Sequence, residues 1–199
     1  MPKPVPEQPP LGQDIRKGEG LMPFSTDISE KKLREIRTQT LITFGKDFLR
    51  AGRYANALRA FDEAHEIEPG EVRALLGRSL ALTRLGRYED ALAAADDIFE
   101  LEADSPHGYN AQAVCYQAMD RRTEAEAAFR KSIRFGPEIA GNHYNFACYW
   151  ASVADTEQCR VYLTKAIDLE PGLNVLAATD VDFSSYRMEE WFLDVVAFK

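Results

Sequence analysis

Residues 44–69 read FGKDFLRAGRYANALRAFDEAHEIEP, and two helices joined by a tight turn are written in that stretch. Leu41, Phe44 and Phe48 recur at helical spacing and place a first helix over residues 38–51. Gly52 and Arg53 interrupt it, and a second helix is predicted from Tyr54 to Glu68. The small residues Gly45 and Ala57 let the two backbones approach. Pro69 ends the second helix, because the residue before a proline avoids the helical region. One such hairpin cannot bury its apolar face alone; it needs a neighbour stacked against it.

The neighbours are visible as a step of 34 residues. Gly45 with Phe48, Ser79 with Leu82, Ala113 with Tyr116 and Ala147 with Trp150 are four copies of one pair, a small residue followed by an apolar one. The same step links Ala57, Ala91, Ala125 and Cys159, and then Phe61, Ala95, Phe129 and Leu163. It also links Ile67, Leu101, Phe135 and Leu169, and finally Pro69, Ala103, Pro137 and Pro171. The phase does not slip, so four units are predicted over residues 38–71, 72–105, 106–139 and 140–173.

This pattern resembles the tetratricopeptide repeat, a 34-residue helix–turn–helix with small residues at the crossing and a closing proline. The segments that carry the resemblance are residues 44–69, LGRYEDALAAADDIFELEA (85–103) and YLTKAIDLEP (162–171). Departures are Ala95 and Ala103 in the second unit, and Arg122 and Thr156 where Tyr54 and Tyr88 stand in the first two. The resemblance implies an all-α, right-handed superhelical solenoid of four repeats with helical caps at both ends. It also implies a protein-binding scaffold, since such repeats are general peptide-holding surfaces.

The flanks are assigned on composition. Half of the ten prolines fall in MPKPVPEQPP, and residues 1–25 are expected to form a Pro-rich tail without fixed structure, with a PxxP motif at Pro6–Pro9. A helix is predicted from Thr26 or Asp27, so that residues 26–37 form a helical extension leading into the first unit. Residues 174–199 hold Trp191, Phe192, Leu193, Val195, Val196 and Phe198, and are expected to cap the last exposed face of the stack.

Composition narrows the function classes. The 199 residues carry a formal net charge of −8, which argues against nucleic acid as the partner. No run of about 18 apolar residues occurs, so no membrane span is expected. The three cysteines form no CxxC pair and suit a reducing compartment, and the chain is expected to be cytoplasmic. No metal-ligand spacing, nucleophile elbow or phosphate-cradling loop appears, and neither enzymatic activity, cofactor nor metal is expected. His143 falls on the ladder of Leu41, Leu75 and Tyr109 and is read as a core residue.

In the family the first helix of each unit lines the concave face. The resemblance therefore points Ile42, Lys46, Leu49 and Arg50 inward, then Arg73, Leu76, Leu80 and Arg84. His107, Asn110, Val114 and Gln117 follow, then Tyr144, Asn145 and Cys148. The candidate peptide-binding residues are Lys46, Arg50, Arg73, Leu76, Leu80, Arg84, Asn110, Val114, Tyr144 and Asn145. Residues 72–88 contain four arginines and no acid, and residues 89–104 seven acids and no Lys or Arg, so the inner helix of the second unit is expected to attract an acidic partner segment. Asn110 and Asn145 offer amides that both donate and accept. The carboxylate-clamp variant of the family is not reproduced: its positions fall on Ile42, Lys46, Gly77, His107 and Ala111 in one frame, and on Leu76, Leu80, Ala111, Gly141 and Asn145 in the other. The expected function is a non-catalytic scaffold or assembly factor that holds a segment of a partner protein. Alternatives are a dedicated chaperone resembling those of type III secretion, and a structural subunit of a larger complex.

Overall fold

The structure, a computed structural model, describes residues 29–197. The expected Pro-rich tail with its PxxP motif, and Phe198 at the other end, lie outside the described residues. Eight helices alternate along the first part of the chain: α1 (Glu30–Arg50), α2 (Tyr54–Ile67), α3 (Val72–Arg84), α4 (Tyr88–Leu101), α5 (Pro106–Ala118), α6 (Arg122–Phe135), α7 (Ala140–Ser152) and α8 (Thr156–Leu169). Then come α9 (Leu173–Thr179), a 3-10 helix (Val181–Tyr186) and α10 (Glu190–Val196). No strand occurs among the described residues, and no helix there is long and apolar enough to cross a membrane.

Within the described residues α1 begins at Glu30; the expected start at Thr26 or Asp27 lies outside them. Ser29 is the N-cap, its hydroxyl accepting the Lys32 backbone N–H at 3.3 Å. A side chain that satisfies one of the first free N–H groups fixes where a helix begins.

Each hairpin turns by the same device. Gly52 and Gly86 have φ of 68° and 75°, and the residues 34 and 68 positions after Gly86, Asp120 and Ala154, have φ of 55° and 59°. At all four turns the next residue's N–H reaches back five positions to a helix carbonyl. The bonds are Arg53 to Phe48 (2.8 Å), Arg87 to Leu82 (3.0 Å), Arg121 to Tyr116 (2.9 Å) and Asp155 to Trp150 (3.0 Å). This is a Schellman closure, which needs one left-handed residue. Arg53 and Arg121 also lay their guanidinium groups over the rings of Phe48 and Tyr116, at 4.9 and 4.7 Å from the ring centres. The second helices end before Pro69, Pro137 and Pro171; α4 ends at Leu101 although Ala103 stands in the proline position.

Packing follows the ladders. Ala57, Ala91, Ala125 and Cys159 are fully buried, as are Phe61, Ala95, Phe129 and Leu163. Phe61 explains the glycines beside it: a Cβ on Gly45 meets its ring at 2.6 Å, and Gly77 faces the same ring. The small residue in the first helix thus admits the large one in the second. Where Ala95 replaces the large residue, Phe99, one turn further along α4, packs over Gly108 and edge-on to Tyr109. His143 is buried, its Nε2 2.8 Å from the Pro137 carbonyl, in agreement with its reading as a core residue.

The curvature is set by which helices touch. Every helix packs on its hairpin partner and on the next helix in sequence. In addition α1 packs on α3, α3 on α5 and α5 on α7, whereas no comparable packing joins α2 to α4, α4 to α6 or α6 to α8. The first helices therefore form the inner layer and the second helices splay on the outside. At the C-terminal end α10 packs on α8 and the 3-10 helix on α7. Phe183 and Phe192, both buried, join Leu163, Cys159 and Ala147 in one apolar cluster.

Candidate functional site

The inner layer encloses an open channel made of two adjoining recesses. The first, about 300 Å³, collects Lys46 and Leu49 from α1, Arg73, Leu76, Leu80 and Arg84 from α3, Asn110 and Val114 from α5, and Asn145 from α7. The second, about 390 Å³, shares Arg84, Val114 and Asn145 and continues past Gln117, Tyr144 and Cys148. Its far wall is formed by Asp180 and Asp182, carried in from beyond α8. Spacing explains the convergence: Arg73, Leu76, Leu80 and Arg84 lie three or four residues apart and form one stripe on α3.

Nine of the ten candidate residues line this channel; Arg50 does not. Its guanidinium lies 2.6 Å from Asp47 on the exposed side of α1. Ile42, which the resemblance also pointed inward, is instead buried in the core with Ala57 and Phe61. Tyr144 is buried as well, and its hydroxyl donates to Asp180 at 2.8 Å. Asn145 donates to Asn110 at 3.2 Å, so the two amides brace each other across α5 and α7 and keep part of their bonding capacity for a ligand.

The charges differ from those counted along the sequence. Arg73 is balanced by Glu71: its Nε donates to Glu71 at 2.8 Å, its Nη2 lies 2.5 Å from the other carboxylate oxygen, and its Nη1 donates to Gln39 at 2.9 Å. The hydrogen bonds from Arg73 hold the Glu71 carboxyl below its usual range, against the opposing effect of burial. Arg78 leaves the inner face and bridges Asp62 (2.8 Å) and Asp97 (3.5 Å) on the outer helices, and Arg87 pairs with Asp90 at 2.7 Å. Among the described residues no carboxylate lies within 4.0 Å of Lys46 or Arg84. These two are the cations the channel presents.

At the other end the balance reverses. Arg122 is occupied by Asp120 at 2.9 Å. Asp180 accepts the Tyr144 hydroxyl and the Asp182 backbone N–H at 3.1 Å, and the Cys148 sulfur and the carboxylates of Asp180 and Asp182 lie within 4.8 Å of one another. Burial, followed by the two carboxylates, pushes the Cys148 thiol well above its usual range. Burial and the charge of Asp180 push the Asp182 carboxyl up, with Cys148 and Arg84 opposing. A thiol pushed up in this way stays protonated at neutral pH.

Asp180 and Asp182 are the site residues that sequence reasoning missed. They lie outside the 34-residue ladders, in a segment read only for its apolar residues. Nothing in TDVDF (179–183) signals that it folds back over α7.

Two family models described as tetratricopeptide repeat match the chain, over residues 48–115 and 106–138. Among solved structures, a thermophilic TPR protein of Thermus thermophilus is similar with a TM-score of 0.59 and 22% identity, over 80% of this chain and 86% of that one. PilF of Pseudomonas aeruginosa is similar with a TM-score of 0.53 and 16% identity, over 83% of this chain and 74% of that one. Both likenesses are of fold. No curated protein matches the sequence.

Proposed function

The chain carries tetratricopeptide repeats, and from that premise we propose that it is a non-catalytic interaction scaffold that holds an extended segment of a partner protein in its concave channel. One observation carries the reading: side chains from α1, α3, α5 and α7 converge on one open groove with an apolar floor, two cations that no carboxylate approaches within 4.0 Å among the described residues, and a braced pair of amides. That is the composition of a surface that anchors side chains by burial and orients a backbone by hydrogen bonds. The leucines and Val114 supply affinity, and Lys46 and Arg84 supply association rate and specificity.

The test is charge reversal. Lys46→Glu with Arg84→Glu is expected to weaken partner capture about tenfold or more at low salt and by less at high salt, because exposed charges are screened over about 10 Å at 0.1 M. Capture is read by quantitative mass spectrometry against the wild-type chain, with helicity checked by circular dichroism. Unchanged capture at low salt removes the channel from the binding surface. The embedded-subunit alternative has its own supporting observation. Leu33, Ile36 and Phe44 form a stripe on α1 and are 50%, 43% and 53% exposed, a surface that a permanent neighbour would cover. An isolated chain that aggregates favours that alternative; co-purification with a secreted substrate favours the chaperone.

A further inference from the structure

The acidic wall of the second recess has no part in holding a segment by cations and an apolar floor. Asp180 and Asp182 stand opposite the end of the channel where Lys46 lies, with Arg84 at the junction of the two recesses. Arg84 lines the same recess and acts on Asp182 at a distance, without a salt bridge among the described residues; the other nearby cations are committed elsewhere. Arg122 is taken by Asp120 at 2.9 Å, and Arg187 donates to the backbone carbonyls of Thr179 (3.0 Å) and Asp180 (3.2 Å) rather than to either carboxylate. Arg73 is held by Glu71. What remains is a groove with uncommitted positive charge at its α1–α3 end and two neighbouring carboxylates at its α7 end.

We propose that the channel reads its ligand in one polarity: Lys46 and Arg84 receive an acidic side chain of the bound segment, an apolar residue seats on Leu76 and Leu80, and Asp180 and Asp182 receive a lysine or arginine. This rests on the channel reading above and sharpens it, because a groove with cations alone selects any acidic segment, whereas this one penalises a segment that is acidic throughout. The C-terminal segment thereby acquires a second role: besides covering the apolar end of the stack, it supplies half of the charge recognition. Two like charges held side by side raise each other's cost, and a cation between them removes it. Burial chiefly, and the carboxylates in addition, displace the Tyr144, Cys148 and Asp182 protons upward, with Arg84 opposing at Asp182. The reach is consistent with one short segment. The channel crosses α1, α3, α5 and α7, three interaxial steps of roughly 8–10 Å each. An extended chain advances about 3.3 Å per residue, so a segment running from Lys46 to the acidic wall spans about seven to nine residues, and fewer separate the two side chains where Arg84 receives the acid.

The test is selection of displayed random peptides against the full chain, at low salt and in physiological salt. Enriched peptides are expected to carry an acidic and a basic residue on opposite sides of an apolar centre, always in the same order along the peptide. An enriched peptide, resynthesised and measured by fluorescence anisotropy, is expected to bind the Asp182→Lys chain about tenfold more weakly, and selection against that chain is expected to replace the basic residue by an acidic one. Lys46→Glu serves as the reciprocal variant, expected to replace the acidic residue by a basic one. Both positions are exposed, and circular dichroism checks their fold. Peptides acidic at both ends, or a charge pattern that Asp182→Lys leaves unchanged while Leu80→Glu abolishes binding, overturn the polarity and leave the channel reading standing. Peptides whose binding ignores Leu80→Glu, Lys46→Glu and Asp182→Lys alike overturn both.

Discussion

Ala154 is the residue at which the repeat pays most for its regularity. The turn requires φ near 60°, which Gly52 and Gly86 adopt freely, but Ala154 holds it at 59° with a Cβ. For an L-residue this conformation costs about 1–2 kcal/mol, partly offset by the lower chain entropy of alanine. Ala154→Gly is therefore expected to stabilise the chain by about 1 kcal/mol, and Gly86→Ala to destabilise it by a similar amount. Thermal unfolding reads both; a lower melting temperature for Ala154→Gly contradicts the argument. Glu71 gives a pH-dependent case. It is the N-cap of α3, accepting the Arg73 N–H at 3.0 Å, and its carboxyl is held below the ordinary range chiefly by hydrogen bonds from Arg73. A carboxyl lowered on folding contributes stability above its unfolded pKa and loses it as pH falls through the folded one. Glu71→Gln is thus expected to cost about 1 kcal/mol at pH 7, and the gap from wild type should close as the medium is acidified below the usual carboxylate range. A gap that widens in acid refutes the assignment. The pairing of Arg73 with Glu71 was not legible in the sequence, because the acid lies two residues before the first arginine and meets it only through the cap.

The helices were legible where a repeated constraint wrote them four times. The small residue of the first helix and the buried residue of the second each recur at 34 residues and meet in the structure, whereas the left-handed turn carries its glycine only in the first two units. A single occurrence was less readable. The cap of α1 rests on a single hydroxyl, that of Ser29. The 3-10 helix was unreadable as an element of the channel. Its anchor is Phe183, fully buried and edge-on to Tyr144 with ring centres 5.7 Å apart, a contact between residues nearly forty positions apart with no periodic counterpart. Phe183→Ala is expected to cost about 3–5 kcal/mol, the usual range for deleting a buried phenylalanine. Chemical denaturation should record it as a lower midpoint. A loss under about 1 kcal/mol would mean that the C-terminal segment does not cap the stack.

The molecule as a whole is close to one-dimensional: each hairpin contacts its neighbours, and the first helices alone contact one another along the inner face. Its channel follows from that asymmetry and not from any special motif, and nine of the ten candidate residues, placed by the repeat phase together with the family resemblance, line it. The chain's C-terminal return, which breaks the phase, adds Asp180 and Asp182 to Asp120 in a groove whose inner helix showed basic residues in sequence. A photo-reactive residue placed at Val114, between the two recesses, and separately at Glu100, on the exposed side of α4, separates the inner face from the outer one. Irradiation in the presence of partner protein, followed by mass spectrometry, should give adducts from position 114 that map to one continuous segment, and few or none from position 100. Adducts of equal yield from both positions, or from position 100 alone, would contradict a partner held in the channel.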